Sequence, residues 1–416
     1  MLPLLIPLSA APALATPGAL DPSFGGDGKV KTEFPSGAAL ASTVLVRPDG
    51  KIVAAGGAGD LRFAVAQYGA DGTLDMSFGA DGRATGRFRA ACTGEQTDAA
   101  FDAIGRVIVG GSTGCRHGRF ALARFMLDGT LDDSFGGDGK VVTAFGSRCG
   151  SRAFGVVVQN DGKIVLAGAT GFRCPNVKFA VARYNEDGSL DTSFGGDGKL
   201  TADFTPHWDV SSDVAVGPEG RIVAVGSAAV ERDHARFALA AFQPNGRPDA
   251  TFDEDGKLTT AFGECPSNGR TAELDPDGKI VVGGWGGCFS KFALARYNED
   301  GSLDASFGGD GKITTRFPVA RCSDQINDVA LQGDGKIVAA GYAVCAEGES
   351  AVFEFGIARY EQDGDLDTSL GDGGTVTTRF ARRDALALGV VVQSDGRTVA
   401  AGLAGTKFAL ARYLAD

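Results

Sequence analysis

Short runs of β-branched and apolar residues alternate with Gly- and Asp-rich corners along almost the whole chain. One stretch reads VVVQNDGKIVLAG from Val156 to Gly168, KFAVARYNEDG from Lys178 to Gly188, then GKLTADF from Gly198 to Phe204. VVVQ and KIVLAG flank Asn160-Asp161-Gly162, turn chemistry that joins neighbouring antiparallel strands. FAVARY and GKLTADF are two further strands, separated by Asp187-Gly188 and the corner LDTSFGG. No window keeps an apolar period near 3.6 residues, so almost no helix is expected.

The corner recurs. LDPSFGGDGKV starts at Leu20, and its relatives start at Leu74, Leu131, Leu190, Pro248, Leu303 and Leu366, 54 to 63 residues apart. Seven copies of one four-stranded unit predict an all-β, seven-bladed β-propeller, a single domain over residues 16–416. The phase of the chain implies closure. It opens on an outermost strand (Lys29 to Phe34) that lacks inner partners and ends on three inner strands, finishing at Phe408 to Tyr413, that lack an outer one. Pairing the two incomplete ends would complete the last blade.

LDxSFGxDGK, DGKIVxAG and FALARYNxDGSLD resemble the delta-60 repeat family, over essentially Leu20 to Tyr413. The resemblance implies a bacterial propeller protein, often exported, and no established activity. The copy at Pro248 departs from the pattern at Thr251 and Asp253, and the last copy carries Leu370 for Phe. Irregular corners are expected at both.

A formal charge of −12 leaves no basic surplus for a nucleic-acid partner. Residues 1–15, MLPLLIPLSAAPALA, end in the small-x-small pattern Ala13-Leu14-Ala15 and read as a signal peptide, although no Lys or Arg precedes the apolar run. No later stretch is long and apolar enough for a membrane span. The cysteines agree with export. They fall as Cys92/Cys115, Cys149/Cys174, Cys265/Cys288 and Cys322/Cys345, each pair symmetric about the turn of one inner hairpin. Symmetric positions on a hairpin face each other, so four disulfides within repeats are expected, and with them an oxidising compartment.

Catalytic signatures are thin. Gly110 to Gly114 fits GxSxG, but a strand follows where a nucleophile elbow needs a helix. The only histidines are His117, His207 and His234. The corner Asp present in every copy (Asp21, Asp75, Asp132, Asp191, Asp249, Asp304, Asp367) and the Arg of the third strand (Arg124, Arg183, Arg296, Arg359, Arg412) are expected to serve blade packing. Calcium at the Asp-Gly corners is the alternative, though the spacing matches no EF-hand loop.

Function is expected where repeats differ. Seven residues before each inner turn glycine stand Thr43, Asp98, Gly155, Asp213, Thr271, Asp328 and Gly389. Asp98, Asp213 and Asp328 therefore occupy alternate blades and form a candidate ligand site in the central tunnel, with solvated tunnel polarity as the simpler explanation. The contacts are expected instead on a second region, the face carrying the cysteines, with His207, Trp208, Asp209, Glu231, His234 and Trp285, which would suit a protein or glycan partner. These features point to a secreted, monomeric, non-catalytic binding or structural module. A carbohydrate- or lactone-active enzyme at the tunnel mouth and a calcium-stabilised adhesion module are the alternatives.

Overall fold

The computed structural model describes residues 16–415 apart from 60–61, 89–97, 114–117, 147–148, 232–233, 319–322, 348–349 and 382–383. The leader expected at residues 1–15, together with Cys92, Cys115, His117 and Cys322, lies outside the described residues, as does the Cys345 side chain. Twenty-eight strands, β1 to β28 in chain order, form seven four-stranded antiparallel sheets. Blade 1 runs outward from the axis as β2 (Ala39–Val46), β3 (Ile52–Ala58), β4 (Arg62–Tyr68) and β5 (Arg83–Arg87). Blades 2 to 6 repeat this order over residues 98–143, 150–202, 209–260, 268–315 and 323–378. Blade 7 closes the ring: β26 (Ala385–Val392), β27 (Thr398–Ala404) and β28 (Lys407–Tyr413) are completed by β1 (Lys29–Thr32), with Lys29 opposite Ala411 and Thr32 opposite Phe408. Among the described residues the only helical element is a 3-10 turn at Pro218–Gly220.

The middle strands of each blade are covered on both faces by neighbouring blades, so they read as unbroken apolar runs rather than as alternation. Ile164 to Ala167 and Phe179 to Ala182 are all essentially inaccessible. A Phe pair joins the third and fourth strands of every blade, ring centroids 4.7 to 4.9 Å apart, as in Phe34–Phe408 and Phe179–Phe204.

In six blades the innermost strand carries a register shift at its middle, between Ala153 and Gly155 in blade 3. This β-bulge drives a carbonyl against the final glycine of the DGKIVxAG block. A Cβ on Gly168 would stand 1.9 Å from the Arg152 oxygen, and one on Gly402 1.8 Å from that of Leu386. Those glycines exist for the bulge.

In five blades the corner Asp and third-strand Arg stitch the sheet, and Arg124, Arg183, Arg296 and Arg412 also donate to a carbonyl of the next blade; Gln67 and Ala241 hold the Arg position in blades 1 and 4. Asp191 accepts bonds from the Ser193 amide and hydroxyl, and from Arg183 Nε at 2.8 Å. Arg183 lies over the Phe194 ring and donates to the Pro244 carbonyl of blade 4. Two of the expected bridges fall within the described residues, Cys149–Cys174 and Cys265–Cys288, with Cα separations of 5.8 and 5.2 Å.

The corner at Pro248 is irregular in a specific way. Asp253 and Glu254 adopt φ of 46° and 65°, where Gly25-Gly26, Gly136-Gly137, Gly195-Gly196 and Gly308-Gly309 take similar values without a Cβ penalty. Asp255 and Asp300 add like charge beside Asp253. Replacing both residues by glycine is expected to stabilise the protein by about 1 kcal/mol after the greater unfolded-state entropy of glycine is counted. In a calorimetric melt that is a rise of roughly 1 °C; a lower melting temperature would refute it.

Candidate functional site

The innermost strand of every blade is a sheet edge, so alternate N–H groups face the tunnel and need partners there. Asp98 on β6 (Asp98–Phe101), Asp213 on β14 (Asp209–Val216) and Asp328 on β22 (Ser323–Leu331) supply them. Asp98 accepts from the amide of Ala99 in its own blade at 2.7 Å and from Val156 of the next blade at 2.8 Å. Asp213 does the same with Val214 and Ala272, and Asp328 with Val329 and Val390. The alternation of Asp has a simple basis: one carboxylate has two oxygens and serves two successive blades. Seven is odd, so blade 1 has no Asp, and Thr43 instead donates its hydroxyl to Asp98 at 2.6 Å. Thr271 donates to Asp328 at 3.0 Å. Gly155 fits because a Cβ there would lie 2.6 Å from the Asp213 Cα.

All three carboxylates line one cavity of about 1300 Å³ on the ring axis. Its wall runs from the bulge residues Ser212, Arg270 and Asn327 to the inner turns of blades 5 and 6, at Asp275 and Asp334. A fourth carboxylate, Glu273 on β18 (Asn268–Leu274), stands in the same cavity. Burial pushes Asp98 above the ordinary carboxylate range, and burial followed by the Asp98 charge pushes Asp213 well above it. Asp328 is raised to about 8 by burial and by the charges of Glu273 and Asp98, which outweigh the Val390 and Thr271 bonds. Glu273 is raised to about 7 by withdrawal from bulk water, then by Asp213 and Asp98. Sequence reasoning overlooked Glu273, although its register shows it: five residues before the turn glycine the other blades carry Leu45, Ala100, Val157, Ala215, Ala330 and Val391.

The second candidate face is less open than its composition suggests. Asp209 is fully buried. Its carboxylate accepts from the amides of Phe204 and Thr205 and from the Thr205 hydroxyl, so it shapes its own loop and offers no contact to a partner. His207 and Trp208 are half-buried, and their backbone bridges Val177 of the preceding blade. Trp285 is half-buried on β19 (Ile280–Gly286) opposite Asn268 and Phe292. Glu231 and His234 are exposed at a hairpin tip, 3.9 Å apart. The most exposed large apolar side chain among the described residues is Phe289, at 81%, which composition did not single out. Ser112 of the GxSxG stretch bonds both the amide and the carbonyl of Ala153 in the next blade, a packing role.

Five segments, 47–78, 105–135, 159–194, 276–307 and 332–370, match the family model described as a beta-propeller domain of unknown function (DUF5122). Each matched segment falls within one repeat of the propeller, so the likeness to that family model is carried by five of the seven repeats. No curated protein matches the chain. Among solved structures, the propeller is similar to a catalytically inactive virginiamycin B lyase from Staphylococcus aureus with quinupristin, at TM-score 0.50 and 9% identity, over 93% of this chain and 99% of that one. It is similar to a polysaccharide lyase, an ulvan lyase bound to -[GlcA(1-4)Rha3S]-, at TM-score 0.50 and 12% identity, over 93% and 96%. A gluconolactonase from Xanthomonas campestris gives TM-score 0.39 and 12% identity, over 92% and 100%. At these identities the likeness is one of fold. No helix among the described residues is long and apolar enough to cross a membrane.

Proposed function

We propose that the protein is an exported binding module of the delta-60 kind that holds its ligand in the central tunnel and catalyses no reaction. The observation that carries this reading is the axial cavity that Asp98, Asp213, Asp328 and Glu273 all line. Export is supported by the two disulfides, which persist in oxidising compartments. Among the described residues Ser112 and the three Asp residues are committed to blade-to-blade hydrogen bonds, and neither His207 nor His234 is among the residues that line the tunnel, which supports a binding role. A carbohydrate- or lactone-active enzyme is the second reading. Asp328 near 8 and Glu273 near 7 favour it, since general acid–base groups work best with pKa values close to ambient pH.

The test is a thermal-shift screen of oligosaccharides, lactones, amines and calcium. Compounds that raise the melting temperature should lose their effect in Val157→Phe, which narrows the tunnel, and keep it in Trp285→Ala. The opposite pattern would return the site to the loop face, and turnover of any lactone or glycan abolished by Asp328→Asn would favour the enzyme.

A further inference from the structure

Exposed large apolar side chains are not spread evenly over the propeller. Of the six among the described residues, Ile104, Met126, Leu127 and Val142 belong to blade 2, Met76 to the corner of blade 1 that abuts it, and Phe289 alone lies elsewhere. Met76, Ile104, Met126 and Leu127 stand at one end of the ring, on the inner turn and the corners between third and fourth strands. The Gly79 amide of the Met76 corner donates to the Asp128 carbonyl at 2.6 Å, and a Cβ on Gly105, next to Ile104, would stand 3.3 Å from Leu127 Cδ2. The other repeats act as controls. One residue before the inner turn glycine they carry Asp49, Asp161, Glu219, Asp277, Asp334 and Asp395, and blade 2 carries Ile104. Met126-Leu127 replaces Asn185-Glu186 of blade 3 and Asn298-Glu299 of blade 5. Val142 on β9 (Lys140–Thr143) stands where the other outer strands have Thr or Lys. Two of the protein's three methionines are in this patch, unbranched side chains that adapt to a partner's shape. Scattered exposed apolar residues are ordinary, whereas a cluster confined to one part of a repeated fold marks a contact surface. None of its members lines the tunnel.

The patch is rimmed by acid. Asp49 on the neighbouring inner turn, Asp128 beside Leu127 and Asp133 on the next corner are exposed and make no ion pair among the described residues. The bases of this region are engaged. Lys51 meets Asp75, Arg83 meets Asp81, Lys140 meets Asp138, and Arg106 meets Asp102, Asp132 and Glu186. Arg47 is buried against Gln67 and the Gly105 carbonyl. We propose that this end of blades 1 and 2 docks a protein segment whose apolar side chains are flanked by Lys or Arg, such as a basic amphipathic helix. Apolar burial supplies the affinity, and the acidic rim supplies steering and selectivity. A second copy fits less well, because twofold pairing would set acid against acid. Four side chains also cover far less than the ~800 Å² per partner of a stable dimer. An anionic membrane meets the same repulsion.

The probe is the peptide LKKLLKLLKKLLKL, whose helix sets a Leu face against a Lys face, compared by fluorescence anisotropy on the whole protein with its Glu-for-Lys counterpart. The basic peptide is expected to bind about tenfold more tightly than the acidic one, and the gap should narrow at ~0.5 M salt, where exposed charges are screened. Ile104→Asn, Met126→Asn and Leu127→Gln together remove the apolar surface and leave the rim charge unchanged. Two of these install the residues at Asn185 and Gln362 of other blades, so the protein should melt as the parent does and bind the basic peptide about tenfold more weakly. If the triple variant melts lower, Leu127→Gln alone carries the test, with a smaller loss in the same direction. Phe289→Ser, on the separate exposed apolar residue, should change nothing. Equal binding of the two peptides, no binding of the basic one at about 1 mM, or binding unaffected by the patch variants would overturn the proposal. A dimer, or binding to phosphatidylglycerol vesicles, that depends on the patch while the peptide stays inert would overturn it in favour of a second copy or a membrane.

Discussion

A chain shortened to begin at Pro35 is expected not to hold a closed ring. Removing residues 16–34 takes away β1, the outer strand of blade 7, and exposes the ladder edge of β28. It also removes Phe24, which is fully buried, and Phe34, which packs on Phe408 with centroids 4.7 Å apart. Asp21 goes as well, leaving Arg412, 3% exposed, without the carboxylate it meets at 2.9 Å. Loss of each buried Phe costs about 3–5 kcal/mol and a stranded buried charge a similar amount. Together these rival the ~5–15 kcal/mol by which folded domains exceed their unfolded states. Size-exclusion chromatography and near-UV circular dichroism should show a chain that associates through its open edge or lacks fixed aromatic packing. A peptide of residues 16–34 added in trans should restore the native spectrum. A shortened chain that stays monomeric and melts like the parent would mean that blade 7 closes without its outer strand.

That closure was legible in the sequence, because it depends on the phase of the repeat rather than on any single contact. An outer strand with no inner strands before it, and inner strands with no outer one after them, admit few other arrangements. The number of blades and the order of strands follow from the same periodicity. The bulges were not legible, since a bulge changes register without changing the apolar pattern; the glycines at Gly168 and Gly402 record it only as a missing Cβ. The alternating Asp98, Asp213 and Asp328 were visible in one register, but their engagement by Val156, Ala272 and Val390 depends on which amides face the axis. Asp209 was misplaced for the reverse reason. A polar residue in a loop reads as exposed, whereas this one turns inward to satisfy the amides of its own turn.

Arg183→Ala should be the most costly single substitution at a corner, about 3–5 kcal/mol. The guanidinium is 4% exposed and joins three things: the Asp191 carboxylate, the Phe194 ring and the Pro244 carbonyl across the blade interface. Without it Asp191 keeps only Lys163, at 3.1 Å, as a cation partner, and the inter-blade bond is lost. The acid limb of the stability curve should change too. Burial alone would raise the Asp191 pKa, but Ser193, Lys163 and Arg183 hold it far below the usual carboxylate range. Its ionisation therefore contributes stability above an unfolded pKa of about 3.9, and this is lost as pH falls through the lower folded value. Arg183→Ala should shrink that contribution, so denaturant melts of parent and variant should converge as pH drops below about 4. Blade 4 contains the remedy. There the third strand has Ala241 in the Arg position, and Arg221 from the inner turn bonds Asp249 at 2.7 Å and the Glu299 carbonyl at 2.7 Å. Lys163 occupies the place of Arg221, so Lys163→Arg in the Arg183→Ala background should recover more than half of the loss. If it recovers nothing, the contribution of Arg183 lies in its packing on Phe194 rather than in the bond between blades.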